Sequence, residues 1–193
     1  MLRVGLMLVA ISGFVSLSLE ILCFRLFGYI TGSPFLYQSF YDMSAKTFGV
    51  VFGLNAAGFI LASQVNSRLV ERYGHLRVYR GSTGFTLLAT LPLIVVGGLG
   101  TGPLWLTEAS IFVFISSLGF SFPCATTGSL EDQPDRAGSA SALMGLMGSV
   151  AAAITASGVG HLQTLTPVAM PILVGWSCVL AWLSFVLIHR SEQ

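Results

Sequence analysis

Apolar residues run in long blocks along this chain, and the polar positions fall in short breaks between them. The blocks occupy about residues 4–33, 47–70, 78–99, 104–125, 138–160 and 168–188. A helix crosses a ~30 Å hydrocarbon core with about 20 apolar residues, each adding ~1.5 Å. Lipid offers no hydrogen bonds, so a single run of this kind satisfies its backbone only as a helix. The pattern therefore predicts an all-α integral membrane protein, one domain over residues 1–193 built as a six-transmembrane-helix bundle.

The breaks carry their own signals. The first block is awkwardly long, ~45 Å as a rod. It must tilt, break near Gly28 and Gly32, or lay its first turns in the interface. Its stop is expected at Ser33-Pro34, where proline restricts the residue before it and lacks a backbone donor. Asp42 or Ser44 is placed to cap the second span. Gly97, Gly98, Gly100, Gly102 and Pro103 mark a tight turn between the third and fourth, and Glu131 to Arg136 form a polar loop before the fifth.

Composition sharpens the picture. Of 193 residues 54% are hydrophobic and 9% charged, with a mean hydropathy of +0.82. Soluble domains carry roughly 25% charged residues, so the excess apolar surface must face lipid, and a sizeable soluble domain does not fit. With a net charge of +1 and no basic cluster interleaved with aromatics, nucleic acid is not an expected partner. Cys23, Cys124 and Cys178 stand singly in apolar runs, without the spacing of a metal or redox site. Arg3 precedes the first block, but no small-x-small cleavage site follows it, so the segment reads as a retained helix. Seven of the nine basic residues, Arg3, Arg68, Arg72, Arg77, Arg80, Arg136 and Arg190, fall at the termini or in the second-to-third and fourth-to-fifth loops. In a six-span chain these all share one side, and the positive-inside rule puts both termini in the cytoplasm.

Few residues are placed to do chemistry. Glu20 and Arg25 are ionisable within the first block. A charge at that depth costs several kcal/mol unless it is paired, faces a wet path or snorkels to the headgroups. They are transport-pathway candidates on one reading and boundary residues on the other. Five apart, they are poorly spaced for an intrahelical pair. Asn55, near the middle of the second span, either bonds a neighbouring helix or lines a polar path, while Gln64 and Asn66 fall toward the interface. Glu108, one turn into the fourth span beside Trp105, reads as an outer-interface residue in an aromatic belt. Small residues recur every fourth position in the fifth span, as Gly148, Ala152, Ala156 and Gly160 and as Ser141, Gly145, Ser149, Ala153 and Ser157. Gly49, Gly53 and Ala57 repeat this on the second, and such faces let helices approach closely in lipid. An enzyme is not expected: there is no H-E-x-x-H, and no Ser/His/Asp arrangement beyond a weak Ser157 and His161 stands out.

Several stretches are family-like in order and position. They are Tyr29 to Tyr37, Phe48 to Ala56, Gln64 to Val70 and Asp135 to Leu143. From Gly28 onward they make the chain resemble the second half of Bcr/CflA (bicyclomycin-resistance) drug:proton antiporters of the major facilitator superfamily. The loop with Glu71, Arg72 and Gly74 resembles the superfamily's cytoplasmic G-x-x-x-D-R-x-G-R-R motif, with Ser67 in place of its first glycine and His75-Leu76 in place of its last basic pair. The resemblance implies half of a multidrug efflux transporter in the bacterial inner membrane, with a small drug-like substrate and the proton gradient as the only coupling agent, without a bound cofactor. It also implies a separately encoded first half or a second copy of the chain as partner, with the second and fifth spans forming the seam. A truncated, non-transporting product and a structural membrane subunit are the alternatives.

Overall fold

The computed structural model describes residues 21–99, 103–131 and 137–163, and the regular elements among them are all helical. Glu20, most of the first apolar block and the block at 168–188 lie outside the described residues. We label the helices α1 (21–35, running into a π-helical turn at Leu36–Phe40), α2 (Ala45–Tyr73), α3 (His75–Leu99), α4 (Leu104–Glu131) and α5 (Ala137–Gln163). Each of α2 to α5 contains a stretch long and apolar enough to cross a membrane.

Helix α1 does not stop at Ser33-Pro34, nor does it break at Gly28 or Gly32. Pro34 removes one donor and crowds the preceding turn. The irregularity is absorbed just beyond it, where Leu36–Phe40 widen into the π turn. The chain then reverses through Asp42, whose φ of 51° is a left-handed conformation that a short polar side chain tolerates. Of the two candidate caps Ser44 takes the role, its Oγ accepting from the Thr47 N–H at 3.2 Å.

One residue, Gly74, joins α2 to α3. Its φ of 81° and ψ of 152° are open almost only to glycine, and its N–H closes the last turn of α2 on the Val70 carbonyl at 2.9 Å. A Cβ added there would meet no atom within 4 Å, so any penalty is purely backbone strain. Gly74→Ala is expected to destabilise the bundle by about 1–2 kcal/mol. Denaturant unfolding in detergent, followed by helical circular dichroism, measures this, and an unchanged midpoint would refute it.

Helix α4 is the centre of the described bundle. It buries Ile111, Phe114, Ile115 and Leu118, and α2 and α3 pack against it from different sides. The α2 contact is parallel, and small residues make it close. A Cβ on Gly58 would come within 2.7 Å of Phe112 and Ser116, and one on Gly119 within 2.4 Å of the Phe59 carbonyl oxygen. The α3 contact is antiparallel and hydroxyl-lined. Ser82 meets Ser121 at 2.7 Å and Thr86 meets Ser117 at 2.6 Å, all four side chains being buried. Interhelical hydroxyl bonds of this kind contribute about 0.6 kcal/mol each within a membrane. Leu54, Leu61 and Val65 on α2, Phe85 and Leu88 on α3, and Leu146 and Ile154 on α5 point outward, as lipid-facing side chains do.

Candidate functional site

Residues four apart on a helix share a face. On α1 that rule lines up Arg25, Tyr29, Ser33 and Tyr37, and all four are buried, with Ser33 and Tyr37 fully enclosed. A polar stripe on a membrane helix needs partners inside the bundle. The partners come from the ends of α2 and α4 that lie beside the end of α1. Glu108 on α4 accepts at Oε2 from the Tyr37 hydroxyl and at Oε1 from Asn55 Nδ2 at 3.0 Å. One residue earlier, Thr107 Oγ1 lies 2.6 Å from the Tyr41 hydroxyl. A single carboxylate thus ties three helices together, each of its oxygens held by a neutral donor.

Aromatic rings pack around this cluster. Tyr29 stacks on Phe52 with centroids 5.6 Å apart and planes 5° from parallel. Phe48 packs against both Phe52 and Tyr37, at 5.7 and 5.8 Å. They exclude water from the donors and strengthen the hydrogen bonds electrostatically. Three buried polar atoms in or beside the cluster remain without a hydrogen-bond partner: the Tyr29 hydroxyl, Ser33 Oγ and Asn55 Oδ1.

Among the sequence candidates, Asn55 is fully buried and belongs to this cluster. Arg25 is also buried, on the same stripe but roughly three turns from Tyr37. Glu20 lies outside the described residues. Glu108 differs from its interfacial reading: it is only partly exposed and its carboxylate turns into the bundle. Trp105 beside it does face outward. The signal that could have revealed the site was the four-residue polar rhythm of α1, which demands an ionisable or amide partner elsewhere.

The other candidates lie apart. Glu71 and Arg72 are exposed in the last turn of α2, the Arg72 guanidinium 5.5 Å from the centre of the Tyr73 ring, and Gly74 makes the turn that follows. Gly49, Gly53 and Gly145 face open space, while a Cβ on Gly148 would come within 3.2 Å of Cys23 Sγ on α1. Ala152 is half-buried. Among the described residues no group of three or more His, Cys, Asp or Glu is placed to hold a metal ion.

Comparison with known proteins decides what kind of bundle this is. Residues 1–156, most of the chain, match the family described as Major Facilitator Superfamily. The chain belongs to the major facilitator superfamily. That superfamily consists of membrane transporters, which agrees with the helical architecture and with the lack of an enzyme signature. The MFS-type transporter YdgK of Bacillus subtilis (strain 168) is 31% identical over 159 residues, covering 82% of this chain and 39% of that protein. The bicyclomycin resistance protein homolog of Haemophilus influenzae (strain ATCC 51907 / DSM 11121 / KW20 / Rd) is 27% identical over 160 residues, covering 83% of this chain and 40% of that protein. This major facilitator chain therefore spans about two fifths of the length of the curated relatives it matches. No solved structure matches it significantly.

Proposed function

We propose that the chain is the second half of a drug:proton antiporter of the bicyclomycin-resistance type, acting with a first half supplied by another chain or by a second copy of itself. The observation that carries this reading is the uneven covering of its small residues. Gly58 and Gly119 are filled against neighbours within the chain, whereas a Cβ on Gly49 or Gly53 of α2, or on Gly145 of α5, would meet nothing within 4 Å among the described residues. Open small residues thus recur at four-residue spacing on α2 and occur on α5, as well as at Gly81 and Gly84 on α3, and those on α2 and α5 suit a seam to a further bundle.

In this proposal the protein sits in the bacterial inner membrane with both termini in the cytoplasm, as its basic loops favour. A small drug-like molecule crosses between the halves in exchange for protons. Glu20, Arg25 and Asn55 belong to the transport pathway, and Glu71 and Arg72 at the end of α2, with Gly74 in the turn to α3, lie on the cytoplasmic side.

Drug susceptibility tests it directly. Cells expressing the chain with a matching first half, or the chain alone if two copies suffice, are expected to tolerate a several-fold higher concentration of an exported drug than cells without it. No change with the chain alone or with a partner half would overturn the transport reading and favour a truncated or purely structural membrane protein.

A further inference from the structure

The Glu108 carboxyl group turns into a helix bundle, and among the described residues its hydrogen-bond partners are the neutral Tyr37 and Asn55. A carboxylate at membrane depth needs a compensating positive charge, fixed or mobile. Among the described residues, the surrounding elements offer no fixed one in contact. Helix α1 presents Tyr29 and Tyr37, with Tyr41 beside Thr107 and Arg25 roughly three turns away. Helix α2 presents Asn55 and carries Lys46 exposed in its first turn. Its other ionisable groups, Arg68, Glu71, Arg72 and Tyr73, lie at the opposite end. Those of α3, from His75 to Arg80, also lie at the opposite end, and α5 carries only His161, exposed in its last turn.

Two further observations narrow the mobile charge to a proton. Tyr37 and Asn55 are fully enclosed, and a proton needs no added volume among side chains packed this closely. Asn55 Oδ1 is buried without a hydrogen-bond partner while one Nδ2–H donates to Glu108, so an acceptor stands unused on the amide beside the acid. An amide offers a donor on one side and an acceptor on the other, and a half-turn exchanges them.

We propose that Glu108 is a reversible proton-binding site whose partner, Asn55, switches from donor to acceptor as the proton arrives. Glu108, a partly exposed residue, takes one H⁺ from water at its carboxylate and becomes a neutral acid. Its new O–H donates to Asn55 Oδ1 once the amide has turned. Nδ2 then points away from Glu108. Tyr37 keeps its bond to the other oxygen, now a neutral carbonyl, and that bond loses its charge assistance. Protonation thereby loosens the end of α1 at its π turn. That this proton drives drug exchange rests on the antiport reading above, but proton binding itself does not.

Infrared difference spectroscopy on the full chain in lipid vesicles, stepped between mildly acidic and mildly basic buffer, tests the site without any drug. The expected result is a protonated-carboxyl C=O band that vanishes in Glu108→Gln and moves to higher frequency in Tyr37→Phe, where its hydrogen-bond donor is gone. Asn55→Leu should likewise change the band, because the acid has lost its acceptor. Gln matches the neutral acid in shape, and circular dichroism confirms that each variant is folded. Identical difference spectra for the wild type and Glu108→Gln would overturn the proposal, as would a Glu108 band insensitive to both Tyr37→Phe and Asn55→Leu. Neither result bears on whether the chain exports drugs.

Discussion

Gly119→Val is expected to cost the bundle about 3 kcal/mol, the upper end of what overpacking a tight contact does. The first added carbon would lie 2.4 Å from the Phe59 carbonyl oxygen and 2.9 Å from the Ala62 Cβ. A backbone oxygen cannot swing aside as a flexible side chain does, so α2 and α4 must separate. Separation strips contacts along their whole parallel seam, including the Asn55–Glu108 bond near one end and the Cys124–Asn66 contact near the other. Gly49→Val is the matched control, since a Cβ there meets nothing within 4 Å. Its effect on the isolated chain should stay within about 0.5 kcal/mol. Unfolding in detergent or lipid resolves the two, and equal midpoints would show that the α2–α4 contact is looser than described.

The second large effect is expected at Asn55. Asn55→Leu removes one of the two donors to Glu108 and leaves a carboxylate oxygen facing an apolar side chain. Hydrogen bonds to charged groups contribute about 1.5–3 kcal/mol, and an orphaned acceptor carries its desolvation cost as well. A loss of about 2–3 kcal/mol follows. Replacing both partners is a different matter, because no polar group of the pair is then stranded. In Asn55→Leu with Glu108→Leu much of the lost stability should return, leaving only the cost of orphaning the Tyr37 hydroxyl. Additive losses in the double variant would mean that the bond contributes little and that each residue acts through packing alone.

These two sites differ in how far the amino-acid sequence discloses them. Helices are legible because lipid forces each apolar block to satisfy its own backbone, and α2 encloses the run at 47–70 for that reason. The turn at Gly74 was also readable from residue type. The end of α1 was not: a proline reads as a stop, but a five-residue π turn just beyond it absorbed it. Small residues betray that some face packs without saying which. On α2, Gly58 and Ala62 contact α4 while Gly49 and Gly53 remain open, and the two sets repeat with the same period. Glu108 was the hardest. Its partners lie 71 and 53 residues away, and beside Trp105 its local setting is that of any interfacial carboxylate. Only the long-range meeting of α1, α2 and α4 gives it a role.

The hydroxyls between α3 and α4 bear on how such a bundle is made. Each has a carbonyl of its own helix within reach as well as its partner across the seam. Ser82 reaches Tyr79, Thr86 reaches Ser82, Ser117 reaches Phe114 and Ser121 reaches Ser117, all between 2.7 and 3.1 Å. A newly inserted helix can therefore enter lipid alone with no hydroxyl proton stranded. When its neighbour arrives, a proton is re-aimed from carbonyl to hydroxyl instead of being rescued from an unbonded state. Insertion and assembly become separate events, each without a costly intermediate, and helices of opposite direction can be delivered to the membrane one after another and still find their register.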